Sequence, residues 1–245
     1  MKAVVLAAGY ATRLYPLTRD RPKALLPIAG KPLLEHLLAS LEPVRRLEDI
    51  VLVTNAKFAE AFQDWARAYP REVRILDDGT NDEASRLGAI GDLALAIRTC
   101  RLEDDLLVLA ADNLFGERLD GFAEFGLEKD APALGVYDVG DLDAIRNYNS
   151  IELADDDRVV YFEEKPERPR STLTGIALYF YPRRMLGLVD QYLAEGRNPD
   201  QPGRLVEWLY SREPVYAWRV PGRWFDIGTP ETLAEADRFF ATASE

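Results

Sequence analysis

Cysteine and histidine are nearly absent from this chain of 245 residues, which has one of each, Cys100 and His36. A single cysteine excludes an internal disulfide, and one cysteine with one histidine excludes an ordinary Cys/His zinc site. The sequence also lacks any apolar run of about 20 residues, the length that spans a bilayer. Its apolar start, residues 3–8, is too short for a secretion signal. We therefore expect a cytoplasmic protein without a membrane segment.

Positive charge is also scarce, with 30 Lys and Arg against 42 Asp and Glu and a formal net charge of -12. Such a surface repels a phosphate backbone at long range, so the composition argues against a nucleic-acid-binding protein. A small anionic ligand would need locally concentrated basic residues or a divalent cation to neutralise it. A binding site for such a ligand should therefore contain clustered basic residues or carboxylates that hold a cation.

Apolar runs and helical patterns alternate along the first 110 residues or so, which predicts a parallel sheet with helices on both faces. The later strands have shorter connections, so we predict a three-layer, Rossmann-like α/β fold with a central mixed, mostly parallel sheet. We expect a single domain, residues 1–245, with two halves that meet near residue 112. Strands are predicted at residues 2–8, 50–54, 73–76, 105–111, 133–137, 150–153, 159–163 and 175–181, and a closing helix at 230–243.

Small residues follow the first predicted strand, where backbone N–H groups can approach an anion closely. Arg13 and Lys23 supply positive charge to this stretch. An ordinary turn with two surface cations explains the same residues, and composition does not decide between the two interpretations. The P-loop and dinucleotide-binding glycine patterns are both absent after this strand.

The stretch from Leu6 to Lys23, with Pro27 and the Gly30-Lys31-Pro32 triplet, resembles the signature of the sugar-phosphate nucleotidyltransferase family. That family includes glucose-1-phosphate thymidylyltransferases and mannose-1-phosphate guanylyltransferases, and the chain has the length of a short form without a C-terminal β-helix. Ala11 stands where the usual signature has its second glycine. The resemblance implies catalytic roles for Arg13 and Lys23 and nucleotide-binding roles for Leu6, Ala8, Gly9, Thr12, Asn81 and Gly88.

Asp112 follows the predicted strand at residues 105–111, at the sheet edge where ligands bind. Asp226 lies in a Trp-Phe-Asp-Ile-Gly-Thr sequence that resembles a late family motif. The resemblance implies that both carboxylates bind Mg²⁺, with Mn²⁺ as the alternative ion. Without it, Asp112 and Asn113 equally suit a turn after a strand.

The second half carries a Glu164-Lys165-Pro166 sequence after a predicted strand, which resembles the family motif that contacts the sugar phosphate. The resemblance implies a nucleotide-binding half to about residue 112 and a sugar-phosphate-binding half after it. It assigns sugar-phosphate binding to Asn113, Asn149, Glu164, Lys165, Gly175 and Trp224. His36 lies in a leucine-rich helix, and we interpret it as structural.

The predicted reaction transfers a nucleoside monophosphate from a nucleoside triphosphate to a sugar 1-phosphate, with thymidylyl or uridylyl transfer to glucose 1-phosphate as the first choice. Two alternatives stay open: a cytidylyltransferase for phosphocholine or inositol phosphate, and a catalytically silent nucleotide-sugar sensor. The sequence leaves the base, the sugar and homo-oligomer formation undetermined.

Overall fold

The computed structural model describes residues 1–242. In chain order the strands are β1 (Lys2–Leu6), β2 (Pro27–Ile28), β3 (Lys31–Pro32), β4 (Asp49–Thr54), β5 (Arg74–Asp77), β6 (Leu106–Ala110), β7 (Asn113–Phe115), β8 (Ala133–Asp138), β9 (Asn149–Leu153), β10 (Val159–Glu164), β11 (Leu173–Tyr181), β12 (Tyr216–Arg219) and β13 (Trp224–Asp226).

The α-helices are α1 (Leu33–Leu41), α2 (Ala59–Ala68), α3 (Ala89–Thr99), α4 (Asp120–Lys129), α5 (Leu142–Ile145), α6 (Gly187–Ala194), α7 (Gly203–Leu209) and α8 (Pro230–Thr242). The last residue of the helix predicted at 230–243, Ala243, lies outside the described residues. Among the residues that the structure describes, no helix is long and apolar enough to cross a membrane.

A seven-stranded sheet has the order β12-β8-β11-β6-β1-β4-β5. Strand β1 pairs in parallel with β4, and β4 with β5, whereas β11 pairs antiparallel with β8. The prediction of a Rossmann-like α/β fold with a central mixed sheet is confirmed. Strand β1 is apolar because its middle residues Ala3, Val4 and Val5 are fully buried.

Contacts within the chain form two compact units. The N-terminal unit comprises Lys2–Arg86, Leu109–Asp120 and the described residues from Pro221 onward, and the middle unit comprises Met1, Leu87–Val108 and Gly121–Val220. These two contact units interleave along the chain, and the division into two halves near residue 112 stays a prediction. Residues 113–120 and 221–242 belong with the first residues of the chain because β7 pairs with β13 and α8 contacts β2 and β13.

In the N-terminal unit the leucines of α1 form its buried face, with Leu33, Leu34 and Leu37 at 0% exposure. In the middle unit β8, β11 and β12 pair, and α6 packs on α7 through Tyr192, which is 1% exposed and contacts Trp208. Strand β12 and the β7–β13 pair were missed by the sequence analysis, because runs of three or four residues are too short for a periodic pattern.

Candidate active site

The loop after β1, residues 7–15, is called the cradle loop below. Gly9 in this loop is exposed, has no positive φ angle, and a Cβ added to it would meet no atom within 4 Å. Neither the backbone nor a neighbour in the protein therefore requires glycine here. The missing side chain leaves open space beside the backbone, as close approach of a ligand demands.

Ala11 replaces the usual glycine without changing the backbone conformation that glycine favours. Its φ and ψ angles are 49° and 43°, in the left-handed region. The Ala11 carbonyl oxygen accepts hydrogen bonds from the Thr18 hydroxyl at 2.7 Å and from Leu14 N at 3.0 Å. Thr18 is fully buried, so this contact holds the strained residue from inside the protein.

Asn55, directly after β4, fixes the start of the cradle loop, a role that the sequence analysis missed. Its Nδ2 donates to the Ala8 carbonyl oxygen at 2.8 Å, and its Oδ1 accepts from Phe58 N at 3.1 Å. Asn55 is fully buried, so both ends of its amide need partners within the protein. An amide at the carboxyl end of a buried strand was the available signal, the same one that singled out Asp112.

Lys23 and Asp112 form an ion pair in the N-terminal unit, although 89 residues separate them in the sequence. Lys23 Nζ lies 2.6 Å from Asp112 Oδ2, and the two side chains are 18% and 30% exposed. Burial alone would raise the pKa of Asp112, but the Lys23 ammonium, with hydrogen bonds from Lys23 and Asn113, holds it below its ordinary value. Asp112 is therefore ionised at neutral pH.

Strand pairing brings Asp226 close to Asp112. Strand β13 runs antiparallel to β7 with Asp226 opposite Asn113, and Ile227 N donates to the Asp112 carbonyl oxygen at 2.9 Å. Burial and, to a lesser extent, the charge of Asp112 raise the pKa of Asp226 to about 6, although Lys23 and Arg13 oppose the rise. Four of the predicted site residues thus influence one another electrostatically within a single unit.

Asn113 and Trp224, predicted to bind the sugar phosphate, form a chain of hydrogen bonds to the acidic pair. Trp224 Nε1 donates to Asn113 Oδ1 at 2.7 Å, and Asn113 Nδ2 donates to Asp112 Oδ1 at 2.9 Å. Asn113 is only 4% exposed. These contacts hold Asn113 and Trp224 in place beside Asp112, and the sugar-phosphate contact of the two residues stays a prediction.

In the middle unit, Asn149 links β9 to β11. Its Nδ2 donates to the Gly175 carbonyl oxygen at 2.8 Å, and its Oδ1 accepts from Gly175 N at 2.6 Å. A Cβ on Gly175 would lie 2.6 Å from Leu134 Cδ1, so packing within the protein already requires this glycine. Asn149 and Gly175 contact each other in the structure, and the sugar-phosphate contact predicted for both stays a prediction.

Glu164 ends β10 opposite Asn149 in the antiparallel pair. Burial raises its pKa to about 7, although the positive charges of Arg204 and Lys165 oppose the rise. A Cβ on Gly203, the first residue of α7, would overlap Glu164 Oε2. Gly203 and Arg204 thus set the surroundings of this carboxyl group, and neither was identified from the sequence.

Lys165 follows β10 with an exposed side chain and a φ angle of 51°. This left-handed conformation is uncommon for a residue with a side chain. Lys165 N donates to the Tyr148 carbonyl oxygen at 2.8 Å, which holds the turn before Pro166. The exposed ammonium at a constrained backbone position suits binding of an anion in the middle unit.

The remaining predicted nucleotide contacts are less distinctive. Asn81 and Thr12 are exposed, Leu6 is half-buried and Ala8 is buried. Gly88 has a φ angle of 80°, and a Cβ there would lie 2.6 Å from the Pro199 carbonyl oxygen. The glycine is thus explained by packing of the α3 start against residues 199–200, a different reason from the predicted nucleotide contact.

The donor set of the N-terminal unit fits a hard divalent cation. Asp112 and Asp226 offer carboxylate oxygens, and Mg²⁺ typically takes one or two protein carboxylates and completes its shell with water and substrate phosphates. Within residues 1–242 no group of three or more His, Cys, Asp or Glu side chains could hold a metal ion by itself. A cation here would therefore depend on oxygens from a phosphate ligand.

Comparison with known proteins gives the same picture of the fold. The family model described as nucleotidyl transferase matches residues 2–243. The bifunctional protein GlmU of Methanocaldococcus jannaschii is 27% identical over 98% of this chain and 54% of its own length. The chain thus spans about half the length of that relative.

A second relative matches along nearly its whole length. UTP–glucose-1-phosphate uridylyltransferase AglF of Haloferax volcanii is 29% identical, over 97% of this chain and 96% of its own. Among solved structures, a Bacillus anthracis protein described as a glucose-1-phosphate thymidylyltransferase, crystallised with a sucrose, superposes with a TM-score of 0.80. At 21% identity over 98% of this chain and 95% of that one, this match concerns the fold alone.

Proposed function

The chain belongs to the nucleotidyl transferase family, and on that premise we propose that it transfers a nucleoside monophosphate to a sugar 1-phosphate with the help of Mg²⁺. The observation that carries the proposal is the cluster of Lys23, Asp112 and Asp226, which β7–β13 pairing assembles from three distant parts of the chain. Two neighbouring carboxylates beside a half-buried ammonium are costly unless they serve a charged ligand.

In the proposed reaction, an oxygen of the sugar 1-phosphate forms a bond to the α-phosphorus of the nucleoside triphosphate. The bond from that phosphorus to its bridging oxygen breaks, and pyrophosphate leaves with the electron pair. The attacking phosphate is already anionic, so no side chain has to take a proton from it. Catalysis then consists of alignment and charge neutralisation.

The N-terminal unit is assigned the nucleotide. Backbone N–H groups of the cradle loop, at the open side of Gly9, would bind phosphate oxygens, and Arg13 and Lys23 would neutralise the charge that develops on the triphosphate. Asp112 and Asp226 would hold the divalent cation, which when bound supplies further positive charge to the phosphates. Asn113 and Trp224 keep Asp112 in place through their hydrogen bonds.

The middle unit is assigned the sugar 1-phosphate. Lys165 would bind the phosphate, because its ammonium is exposed and its backbone is fixed by Tyr148. Glu164 lies at the end of β10, with its carboxyl group close to Gly203 and Arg204 of α7. This carboxyl group would accept a hydrogen bond from a sugar hydroxyl. Asn149 orders the neighbouring strands.

For the substrates we propose UTP or dTTP with glucose 1-phosphate. The support is the AglF relative, whose name gives UTP and glucose 1-phosphate and whose length the chain covers almost fully. The deciding experiment measures pyrophosphate release from UTP, dTTP, CTP, GTP and ATP, each with glucose, mannose and glucosamine 1-phosphates and with phosphocholine, in Mg²⁺. Release with UTP or dTTP and glucose 1-phosphate supports the full proposal.

Two variants make the assay specific. Asp226→Asn removes one proposed metal ligand, and Asp155→Asn changes an exposed carboxylate in the middle unit as its matched control. We expect pyrophosphate release to fall about 100-fold in the first and to stay unchanged in the second. Release only with phosphocholine would replace the sugar acceptor, and nucleotide binding without any release would support the sensor hypothesis.

A further inference from the structure

Three loops meet at one edge of the sheet in the N-terminal unit. Strands β1, β4 and β5 are neighbours and pair in parallel, so the loops that follow them lie at the same edge. The first is the cradle loop, the second begins at Asn55, and the third comprises residues 78–86 and is called the β5 loop below. Their connections decide whether they respond to a ligand separately or together.

Hydrogen bonds, from a side chain in one case and from the backbone in the others, join neighbouring loops. Asn55 Nδ2 donates to the Ala8 carbonyl oxygen at 2.8 Å, which joins the first loop to the second. Ala56 N donates to the Thr80 carbonyl oxygen at 2.9 Å, and Asp78 N donates to the Thr54 carbonyl oxygen at 2.8 Å. These bonds join the second loop to the third. Such bonds are common between the ends of neighbouring strands in a parallel sheet.

One contact joins the cradle loop to the β5 loop directly, across the strand between them. The hydroxyl oxygens of Tyr10 and Thr80 lie 3.3 Å apart, and both residues are 6% exposed. The Thr80 hydroxyl donates its proton to Asp78 Oδ1 at 2.8 Å. Tyr10 is therefore the donor in the pair, and Thr80 passes the interaction on to Asp78.

We propose that Tyr10 and Thr80 are positioning residues that couple the two ends of a bound nucleoside triphosphate. This inference rests on the proposed function, which places the phosphates on the cradle loop. The β5 loop begins two strand spacings away, about 10 Å. An extended ligand with its phosphates on the cradle loop reaches the β5 loop with its nucleoside end. The hydroxyl pair then fixes the distance between the two binding surfaces.

Three variants separate this role from simple packing. Tyr10→Phe keeps the buried ring and removes only the hydroxyl, Thr80→Val removes the acceptor, and Thr80→Ser keeps it. Tyr192→Phe is the matched control, because Tyr192 is a buried tyrosine of the middle unit whose hydroxyl donates to the Asn198 carbonyl oxygen at 2.7 Å. Denaturant unfolding of each variant confirms that it is folded before binding is measured.

The measurement is the dissociation constant for the nucleoside triphosphate that the wild-type protein uses, for the matching nucleoside, and for pyrophosphate. We expect Tyr10→Phe and Thr80→Val each to weaken triphosphate binding about fivefold, the effect of one hydrogen bond. The double variant should bind the triphosphate no more weakly than Thr80→Val alone, because that variant has already lost the Tyr10–Thr80 hydrogen bond. Affinities for the nucleoside alone and for pyrophosphate alone should change less than twofold, and Thr80→Ser and Tyr192→Phe should match the wild type.

Three results overturn the inference: unchanged triphosphate affinity in Tyr10→Phe, losses that multiply in the double variant, or an equal loss for pyrophosphate alone. The last would mean that Tyr10 acts only within the cradle loop. Failure of the proposed function is distinguishable from these, because the wild-type protein itself would then bind no nucleoside triphosphate and release no pyrophosphate.

Discussion

The candidate groups of the two units are held by different forces. In the N-terminal unit, Lys23, Asp112 and Asp226 interact by charge: Lys23 lowers the pKa of Asp112, and Asp112 raises that of Asp226. In the middle unit, the Glu164 carboxyl group is shaped by burial and by close approach to a glycine, Gly203. Charged clusters suit the binding of phosphates and cations, whereas close packing around a carboxyl group suits the selection of a substrate by shape.

This contrast predicts which kinetic constant each unit controls. Groups that neutralise charge as it develops in the transition state affect turnover, whereas groups that fit the substrate equally well before and during reaction affect its binding. We therefore expect substitutions in the N-terminal unit to lower kcat and substitutions in the middle unit to raise the KM for the sugar 1-phosphate. The following tests are ordered from the largest expected effect to the smallest.

Replacing one lysine in each unit is the sharpest test of this division of roles. Lys23→Met removes the ammonium beside Asp112, and we expect kcat to fall about 100-fold, or roughly 3 kcal/mol of transition-state stabilisation. Lys165→Met removes the exposed ammonium of the middle unit, and we expect the KM for the sugar 1-phosphate to rise about tenfold with a smaller change in kcat.

Lys129→Met, which removes a lysine packed on Phe125 and Tyr216, serves as the control and should alter neither constant. Steady-state kinetics with both substrates varied measures all three variants. If Lys165→Met lowered kcat as strongly as Lys23→Met, the division of roles between the units would be wrong.

The second test concerns the carboxyl group whose pKa burial raises. The pKa of Glu164 is about 7 in the folded protein against an ordinary value of 4.5. Between these two pH values the folded state binds more protons than the unfolded state. The stabilisation that comes from protonated Glu164 is therefore complete below pH 4.5 and is lost as the pH rises through 7. The loss amounts to about 2 kcal/mol after allowance for partial exposure.

Glu164→Gln removes this titration. Between pH 4.5 and pH 8, the free energy of unfolding of the wild type should therefore fall by about 2 kcal/mol more than that of the variant. Denaturant unfolding of the substrate-free protein at both pH values gives the comparison. Glu167→Gln, at an exposed position on the next turn, is the control. Equal pH dependence in Glu164→Gln and the wild type would show that Glu164 is not desolvated.

The third test changes the packing around Glu164 and leaves the carboxyl group present. In Gly203→Ala the new methyl group overlaps Glu164 Oε2 and lies close to Phe162. Because the end of a glutamate side chain can move, we expect a modest stability loss of about 1 kcal/mol. The displaced carboxylate should raise the KM for the sugar 1-phosphate about fivefold and leave the KM for the nucleoside triphosphate unchanged.

Gly187→Ala at the start of α6 is the matched control, because a Cβ there meets no atom within 4 Å. It should be neutral or stabilising, since alanine favours helices over glycine. An unchanged KM for the sugar 1-phosphate in Gly203→Ala would remove Glu164 from the proposed sugar contacts.

The sequence predicted the alternating elements of the fold and the motif residues around Lys23, Asp112 and Glu164, because these depend on local pattern and on order along the chain. It did not predict Asn55, the Tyr10–Thr80 contact or Gly203, because each acts through a partner that only the folded chain brings near. It also assigned Asn113 and Trp224 to a ligand, which stays a prediction, but it did not predict the hydrogen bonds that both residues make within the protein. A motif identifies a position, and its neighbours in space determine what the position does.

The smallest expected effect lies at Ala11, where the chain departs from the usual signature. Left-handed backbone costs alanine about 1 kcal/mol, and glycine avoids this cost while losing about as much conformational entropy on folding. Ala11→Gly should therefore change the free energy of unfolding by less than about 1 kcal/mol, toward higher stability or none, whereas Ala39→Gly on the exposed face of α1 should cost about 1 kcal/mol. Denaturant unfolding compares the two variants directly. Equal losses in both would mean that Ala11 does not hold its left-handed angle in solution, and that the Thr18 contact does not support the cradle loop.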